Sequence, residues 1–438
     1  MRNNVDDYID FQKQCLSPFH TVAALKQRLV KQGFKELNLT EAWKLKLSHT
    51  YFVVHGSGKS IVSFRIGNKH TSEAGFAMIG AHTDSPVLRL KLKPWGHLQG
   101  YHVLFNECHG SLILRSWLDR PLLLAGTVYK YKRDKNNKPV FSDNGLPFVE
   151  SQLVNTEHPL AVIPDLAIHL DREKNEFGRI NPETMMYAIT GCEDGKNARN
   201  TMENLLNCGE FDGFDLCFAP YYPHVLVGAH QEFITGPRHD DLVMVYTAQC
   251  AMEAAAKKDG GARTSVAAFF DSEETGSQTS GGAASFFIQD VLTRIHHAHP
   301  MKGKDECVGR SFAKSFVISA DVAHAAHPSY PEKNDIAHRP LLNKGIVLKS
   351  NSNDRYATSG YGSAMFRALC ASAGSPVQEF CARGDLGCGS TIGPMISAKL
   401  GCETVDVGIA MWAMHSAAET VGAKDIAPTI KVFEQFFS

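Results

Sequence analysis

Short, continuously apolar runs recur along this chain, and most of them end in residues that bind metals or move protons. Val266–Phe270, inside SVAAFFDSEETGSQTS, is β-branched and aromatic and predicts a short buried strand ending in Asp271, Glu273 and Glu274. Phe76–Pro86 (FAMIGAHTDSP) predicts a second strand, whose end carries His82 and Asp84. Ser315–His324 (SFVISADVAH) predicts a third, with Asp321 and His324 at its end, and Thr404–His415 (TVDVGIAMWAMH) a fourth, ending in Met414 and His415. Gly345–Leu348 predicts one more, with Lys349 after it and Tyr356 further on. Helical spacing marks Asp6–Leu16 and Thr21–Gln32, interrupted at Ser17-Pro18, then a helix from Asp240 to about Lys258, one over Ala283–Ile295 and a closing one near Lys424–Phe437. Tyr51–Val54 and Ser60–Ile66 read as a hairpin around HGSGK. Between about Leu90 and His230 the texture becomes alternating short runs, among them LILRSWL, RPLLLAGTVYKY and LAVIPDLAIHL, which predicts a β-rich insertion. In PDLAIHL, strand alternation sets Leu166, Ile168 and Leu170 on one face, Ala167 and His169 on the other. Asn181–Phe214 is weakly patterned. The expected class is α/β, a mostly parallel sheet flanked by helices over residues 1–90 and 231–438, with a β-rich domain inserted at 91–230.

Composition narrows the function classes. At 438 residues, with 43% hydrophobic and 21% charged positions, the chain is of ordinary globular make-up and long enough for two domains. Lys plus Arg (45) nearly balances Asp plus Glu (46), so no global field favours nucleic acid or a membrane surface. No apolar run is long enough to span a bilayer, and the start, MRNNVDDYIDFQKQ, lacks the pattern of a signal peptide. Eleven scattered Cys without a CxxC pair point to reduced thiols in a cytoplasm. RIHHAHPMKGKDECVG reads as a loop in which His296, His297 and His299 are solvated rather than ligating. The glycine-rich RGDLGCGSTIGP lacks the Lys-Ser/Thr ending of a phosphate loop.

The strand ends carry the chemistry. A lone acidic pair is ordinarily a solvated loop, but here His82, Glu273/Glu274, Asp321 and His415 all end apolar runs, with Asp240 at a helix start. In an open parallel sheet such ends converge on one site. Adjacent residues of an extended chain point to opposite sides, so Glu273 and Glu274 divide the labour: one ligates, the other handles a proton. Histidines and carboxylates suit zinc, manganese or cobalt. More ligands than one tetrahedral ion needs implies two ions, about 3.5–4 Å apart, sharing a carboxylate.

SPFH at Ser17–His20, GAHTDSP at Gly80–Pro86, PDLAIHL at Pro164–Leu170, DSEETGS at Asp271–Ser277, SADVAHAAHP at Ser319–Pro328, CGSTIGP at Cys388–Pro394 and MHS at Met414–Ser416 together resemble the aspartyl aminopeptidase family. The resemblance spans nearly the whole chain. It implies a metallopeptidase domain with an inserted β-rich dimerisation domain, dimers building a dodecamer, and removal of N-terminal Asp and Glu from peptides. One ion would be held by His82, Asp240 and Asp321, the other by Asp240, Glu274 and His415. Glu273 would be the general base and Asp84 would orient His82. Lys349, Tyr356, His324 and Met414 would line the substrate pocket, and His169 would reach a partner's site. The chain departs from the family pattern at Asn106–Ser111, NECHGS for a Glu-x-Tyr-Gly-Gly run, at Asp241, usually Asn, and at Arg383-Gly384-Asp385, usually Arg-Asn-Asp. The rival readings are a dinuclear aminopeptidase of neutral preference, a related deacylase, and an inactive shell-forming homologue.

Overall fold

A computed structural model describes residues 2–192, 198–258, 260–301 and 308–438. Its largest sheet has nine strands in the spatial order Lys35–Glu36, Thr50–Val54, Ile61–Arg65, Thr264–Phe270, Phe76–His82, Phe316–Ala320, Glu403–Gly408, Ile346–Ser350 and Val377–Cys381. Thr264–Phe270, Phe76–His82, Phe316–Ala320 and Glu403–Gly408 run parallel at its centre. Every residue of the first three is buried, which is why they read as unbroken apolar runs rather than alternating ones. Alternate residues serve two cores. Ala77, Ile79 and Ala81 pack with the helices Arg2–Gln14, Pro18–Lys31, His239–Ala255 and Ile426–Phe436. Phe76 and Met78 pack with Phe287–Ala298 and Ile392–Leu400 on the other face.

A second sheet holds seven strands drawn from residues 87–220, all paired antiparallel. It closes on itself, because Gly213–Pro220 pairs with both Val87–Leu98 and Pro121–Tyr131. Leu88, Leu104, Trp117, Leu122, Leu124 and Phe218 form its own core. A third sheet combines Val225–Val227, Phe233–Gly236, Glu419–Gly422, Ala410–Trp412 and Ala323–His324.

Five expectations change. Thr404–His415 and Ser315–His324 are not single strands. Each leaves the large sheet, at Gly408 and Ala320, and continues in the third sheet as Ala410–Trp412 and Ala323–His324. The crossing is tight: a Cβ on Gly408 would collide with the Asp321 carbonyl. The helix expected from Ala283 begins at Phe287 and runs to Ala298. His296 and His299 are not solvated. Both are buried against His70, with ring centroids 4.8 and 5.2 Å away; residues 302–307 of that stretch lie outside the described residues. Pro164–Leu170 forms no strand, so its alternation is lost and Leu166, Ala167, Ile168, His169 and Leu170 are all exposed. Its polar main-chain groups serve turns instead of a ladder. Leu170 N–H donates to Ala167 O (2.9 Å), Asp165 N–H to Asp119 Oδ1 (2.9 Å) and Lys174 Nζ to Leu166 O (2.8 Å). Among the described residues no helix is long and apolar enough to cross a membrane.

Candidate metal centre

Parallel register sets the first groups side by side. Phe270 lies beside His82 and Ala320 beside Val407, so His82, the Asp271–Glu274 segment and Asp321 leave one edge of the sheet. A single 3-10 turn, Glu273–Thr275, follows left-handed Ser272 (φ 66°) and precedes Gly276 (φ 94°). This bend brings both glutamates to one pocket, which an extended chain could not do. Asp240 enters at the start of His239–Ala255, where Asp240 and Asp241 are non-helical and joined by a cis peptide bond. His415 lies on the loop beyond Ala410–Trp412, with φ 68°.

The interatomic distances are those of ligands around an ion. His82 Nε2 lies 3.3 Å from Asp240 Oδ1; His415 Nε2 lies 3.5 Å from Asp240 Oδ2 and 3.3 Å from Glu274 Oε2. Two donors about 2.0–2.1 Å from one tetrahedral ion are about 3.3–3.4 Å apart, whereas a charged hydrogen bond spans about 2.7–2.9 Å. Asp240 Oδ1 and Glu274 Oε1 are buried without a hydrogen-bond partner. Both rings spend their second nitrogen on a carbonyl: His82 Nδ1 on Asp84 O (3.0 Å), His415 Nδ1 on Ser111 O (2.7 Å). A carbonyl only accepts, so each Nδ1 carries a hydrogen and each Nε2 faces the carboxylates. Such an array needs a cation, and the residues present fit a divalent metal. Among the described residues donor atoms converge in three groups: His82, Asp240, Asp241 and Asp321; Asp240, Glu274 and His415; and His82, Glu273 and Glu274, with Asp240 shared by the first two.

The electrostatics agree. Burial pushes Glu273 up to about 8, with Asp321 and Asp240 adding to the effect. Burial also raises Glu274 well above the carboxylate range and Asp321 to about 6, where Lys349 opposes it. Burial works against charge on Asp240, but the imidazoles of His415 and His82 beside it hold it below the usual range. Burial likewise opposes a charged His415, yet Asp240 lifts it to about 9.

Residues 11–437 match the family described as Aminopeptidase I zinc metalloprotease (M18). The chain belongs to the M18 metalloaminopeptidase family. It is 37% identical over 439 residues to the probable M18 family aminopeptidase 2 of Azotobacter vinelandii, covering 98% of this chain and 97% of that one. The cryo-EM structure of the Ape4 and Nbr1 complex superposes with a TM-score of 0.90 at 32% identity, over 100% of this chain and 85% of that chain. The S. cerevisiae mApe1 dodecamer gives 0.84 at 26%, over 99% and 96%.

In this M18 chain a pocket of about 340 Å³ is lined by His82, Asp240, Glu273, Glu274, Asp321, His324, Lys349, Tyr356, Met414 and His415. His169 is not among the residues lining it. A wider groove of about 960 Å³, lined by Leu39, His55, Phe286 and Arg294 among others, contains none of the three donor groups. Lys349 is buried, its Nζ 3.1 Å from Val322 O, 3.8 Å from Asp321 Oδ2 and 5.0 Å from the Tyr356 ring centroid. Asp84 serves His82 through its main-chain carbonyl; its carboxylate accepts from the main-chain N–H of Glu273 (3.0 Å) and Glu274 (3.3 Å). Sequence reasoning missed two supports. Glu419 accepts from the N–H groups of Asp240 (2.9 Å) and His415 (2.7 Å), and its one local sign is an acid four residues after His415. His109 bonds Asp84 across 25 positions, with no local sign beyond the altered NECHGS stretch.

Proposed function

We propose that this chain is a dinuclear aminopeptidase that removes N-terminal Asp and Glu from peptides. The observation that carries the dinuclear part is Asp240, whose two carboxylate oxygens address two different histidines, His82 and His415. His82, Asp240 and Asp321 would hold one ion, and Asp240, Glu274 and His415 the other. Divalent ions so held, zinc or alternatively manganese or cobalt, would supply Lewis-acid polarisation of the scissile carbonyl and acidify water. Glu273 has no ligand duty in this scheme. Its carboxylate takes a proton from the attacking water and returns it to the leaving amine, a role served by a pKa raised toward neutrality. Lys349 presents a fixed ammonium to the side-chain carboxylate of the first residue, which is the basis of the acidic preference; Tyr356, His324 and Met414 shape the same pocket. His169, exposed in its own chain, completes the site of a partner subunit. Residues 91–230 form the dimerisation unit, and dimers build a dodecamer like the mApe1 assembly. The cytoplasm is the proposed compartment.

Release of free amino acid from Asp-, Glu-, Leu- and Lys-peptides, with and without chelator, tests the reading. Chelator-sensitive release from Asp- and Glu-peptides first is expected. Equal or better release from Leu-peptides identifies a neutral aminopeptidase, and no release identifies an inactive homologue.

A further inference from the structure

We infer that His109 is a positioning residue for this reaction: its ring, carried by the seven-stranded sheet, holds the Asp84 carboxylate and through it the Glu273–Glu274 turn. The inference rests on the dinuclear reading above and names a support that reading lacks. Asp84 is buried, and a buried carboxylate is costly unless its oxygens are met by donors. Oδ1 accepts the Glu273 N–H at 3.0 Å. Oδ2 accepts the Glu274 N–H at 3.3 Å and His109 Nε2 at 3.0 Å. His109 therefore makes the shorter of the two bonds to the oxygen that secures Glu274. The main-chain carbonyl of Asp84 meanwhile fixes the His82 ring. One buried residue thus touches the backbone of the base, the backbone of a ligand and the ring of another ligand. Neither Asp84 nor His109 lines the substrate pocket; both line a separate, smaller cavity with Ser85 and Asp271.

The residues that follow extend the same grip. Gly110 has φ 75°, and a Cβ there would lie 3.1 Å from the Glu274 Cβ, so the chain runs directly against that side chain. Ser111 O accepts from His415 Nδ1 (2.7 Å), and Ile113 N–H donates to His415 O (3.0 Å). The end of one strand, Tyr101–His109, with its continuation, therefore braces Glu274 from one side and His415 from the other. This is the stretch in which the chain departs from the family pattern, so the brace is built here with an imidazole donor.

The test compares His109→Phe, which keeps a ring and removes the donor, with His109→Gln, which restores an N–H. Both are prepared metal-loaded and cobalt-substituted, and kcat, KM, Tm and the cobalt absorption spectrum are measured. Loss of a group that orients metal ligands costs about 10–100-fold. The Phe variant should lose kcat by that factor, with KM within about threefold and a shifted cobalt spectrum. The Gln variant should stay near wild type in both readouts. Wild-type kcat and spectrum in the Phe variant, or an equal fall in both variants, overturns the proposal. If the Phe variant does not fold, the smaller His109→Leu takes its place. Wild-type metal content and Glu273→Gln activity are measured alongside. Fewer than two ions per chain overturns the dinuclear reading, and an active Glu273→Gln variant overturns Glu273 as the base; both are told apart from failure of the His109 role.

Discussion

Glu273 and Glu274 are neighbours with unlike surroundings, and that difference separates their roles. Glu274 faces His415 Nε2 at 3.3 Å and also falls in the group with Asp240 and His415, whereas among the described residues Glu273 falls only in the group with His82 and Glu274. Glu273→Gln should reduce turnover by several orders of magnitude while metal content stays near two per chain, since the amide removes a base and no ligand. Elemental analysis showing lost metal would exchange the two roles. The Asp240–Asp241 pair separates in the same way. Asp240 addresses two histidines, so Asp240→Asn should lower occupancy at both positions. Asp241 is fully buried, spends Oδ2 on the His82 N–H at 3.1 Å and is pushed toward its neutral form by burial. An amide accepts that bond equally well, so Asp241→Asn should leave metal content unchanged and activity within a few-fold. Metal lost from the Asp241 variant and not from the Asp240 variant would shift the assignment by one residue. Lys349→Leu should depress cleavage of Asp- and Glu-peptides far more than of Leu-peptides if its buried ammonium, which lines the pocket, meets the substrate carboxylate as proposed; an equal fall for all substrates would remove its selective role.

At the scale of elements, the centre is made where strands end or change sheet. The Glu273–Thr275 turn aims two carboxylates one way, and the Gly408 crossing lets one strand pass against the Asp321 carbonyl. The Pro164–Leu170 turn is tied to the rest of the chain through Asp119 and Lys174, yet its apolar side chains stay exposed. It exposes Leu166, Ile168 and Leu170 at 52%, 43% and 74%, apolar side chains close together in sequence of the kind that mark interaction surfaces. His169 sits among them. Mixing an inactive His169→Ala chain with an inactive Glu273→Gln chain, under conditions of subunit exchange, should restore part of the activity, because a mixed dimer holds one site with both wild-type residues. No recovery after proven exchange would return His169 to its own chain.

For the whole molecule, the crowded carboxylates make stability depend on pH and metal together. Burial raises Asp321 to about 6 and Glu273 and Glu419 to about 8, while Asp240 lifts His415 to about 9 against its burial. A group with a raised folded pKa contributes stability that is full below its unfolded pKa and is lost as pH rises through the folded one. Asp84 and Asp240, held low, lose their contribution only below about pH 4, and His20, His224, His296 and His299, kept neutral chiefly by burial, act below about pH 6.5. Between about pH 6.5 and 8 the raised groups dominate, so the chelated protein should lose several degrees of Tm across that window. Metal-loaded protein should show a flatter profile, since the ions replace the protons. Parallel profiles with and without chelator would mean that these carboxylates do not share a cation.

The class of fold and the candidate donor residues were legible because both are local. A strand buried on two faces reads as an unbroken apolar run, and the residue that ends it is written next to it; His82, Asp321 and the glutamate pair were visible for that reason. His415 was visible as the end of a fourth apolar run, although it lies on a loop past the strand; choosing Asp240 over Asp241 needed the motif order as well, since a helix start carries no such mark. Sheet order was not legible, and with it went everything that depends on which distant segments meet. Nothing near His109 announces Asp84, nothing near Ser111 announces His415, and Glu419 serves two main-chain N–H groups, one of them 179 positions away. The strands that switch sheets at Gly408 and Ala320, and the turn that replaces the expected strand at Pro164–Leu170, were misjudged for the same reason. Periodicity reports which face of a segment is buried, whereas pairing partners are chosen by the whole chain. The sequence by itself determined which side chains could hold metal and move a proton; only the tertiary structure decided how they are aimed, because a buried donor set is oriented by hydrogen bonds from residues that are neighbours in space alone.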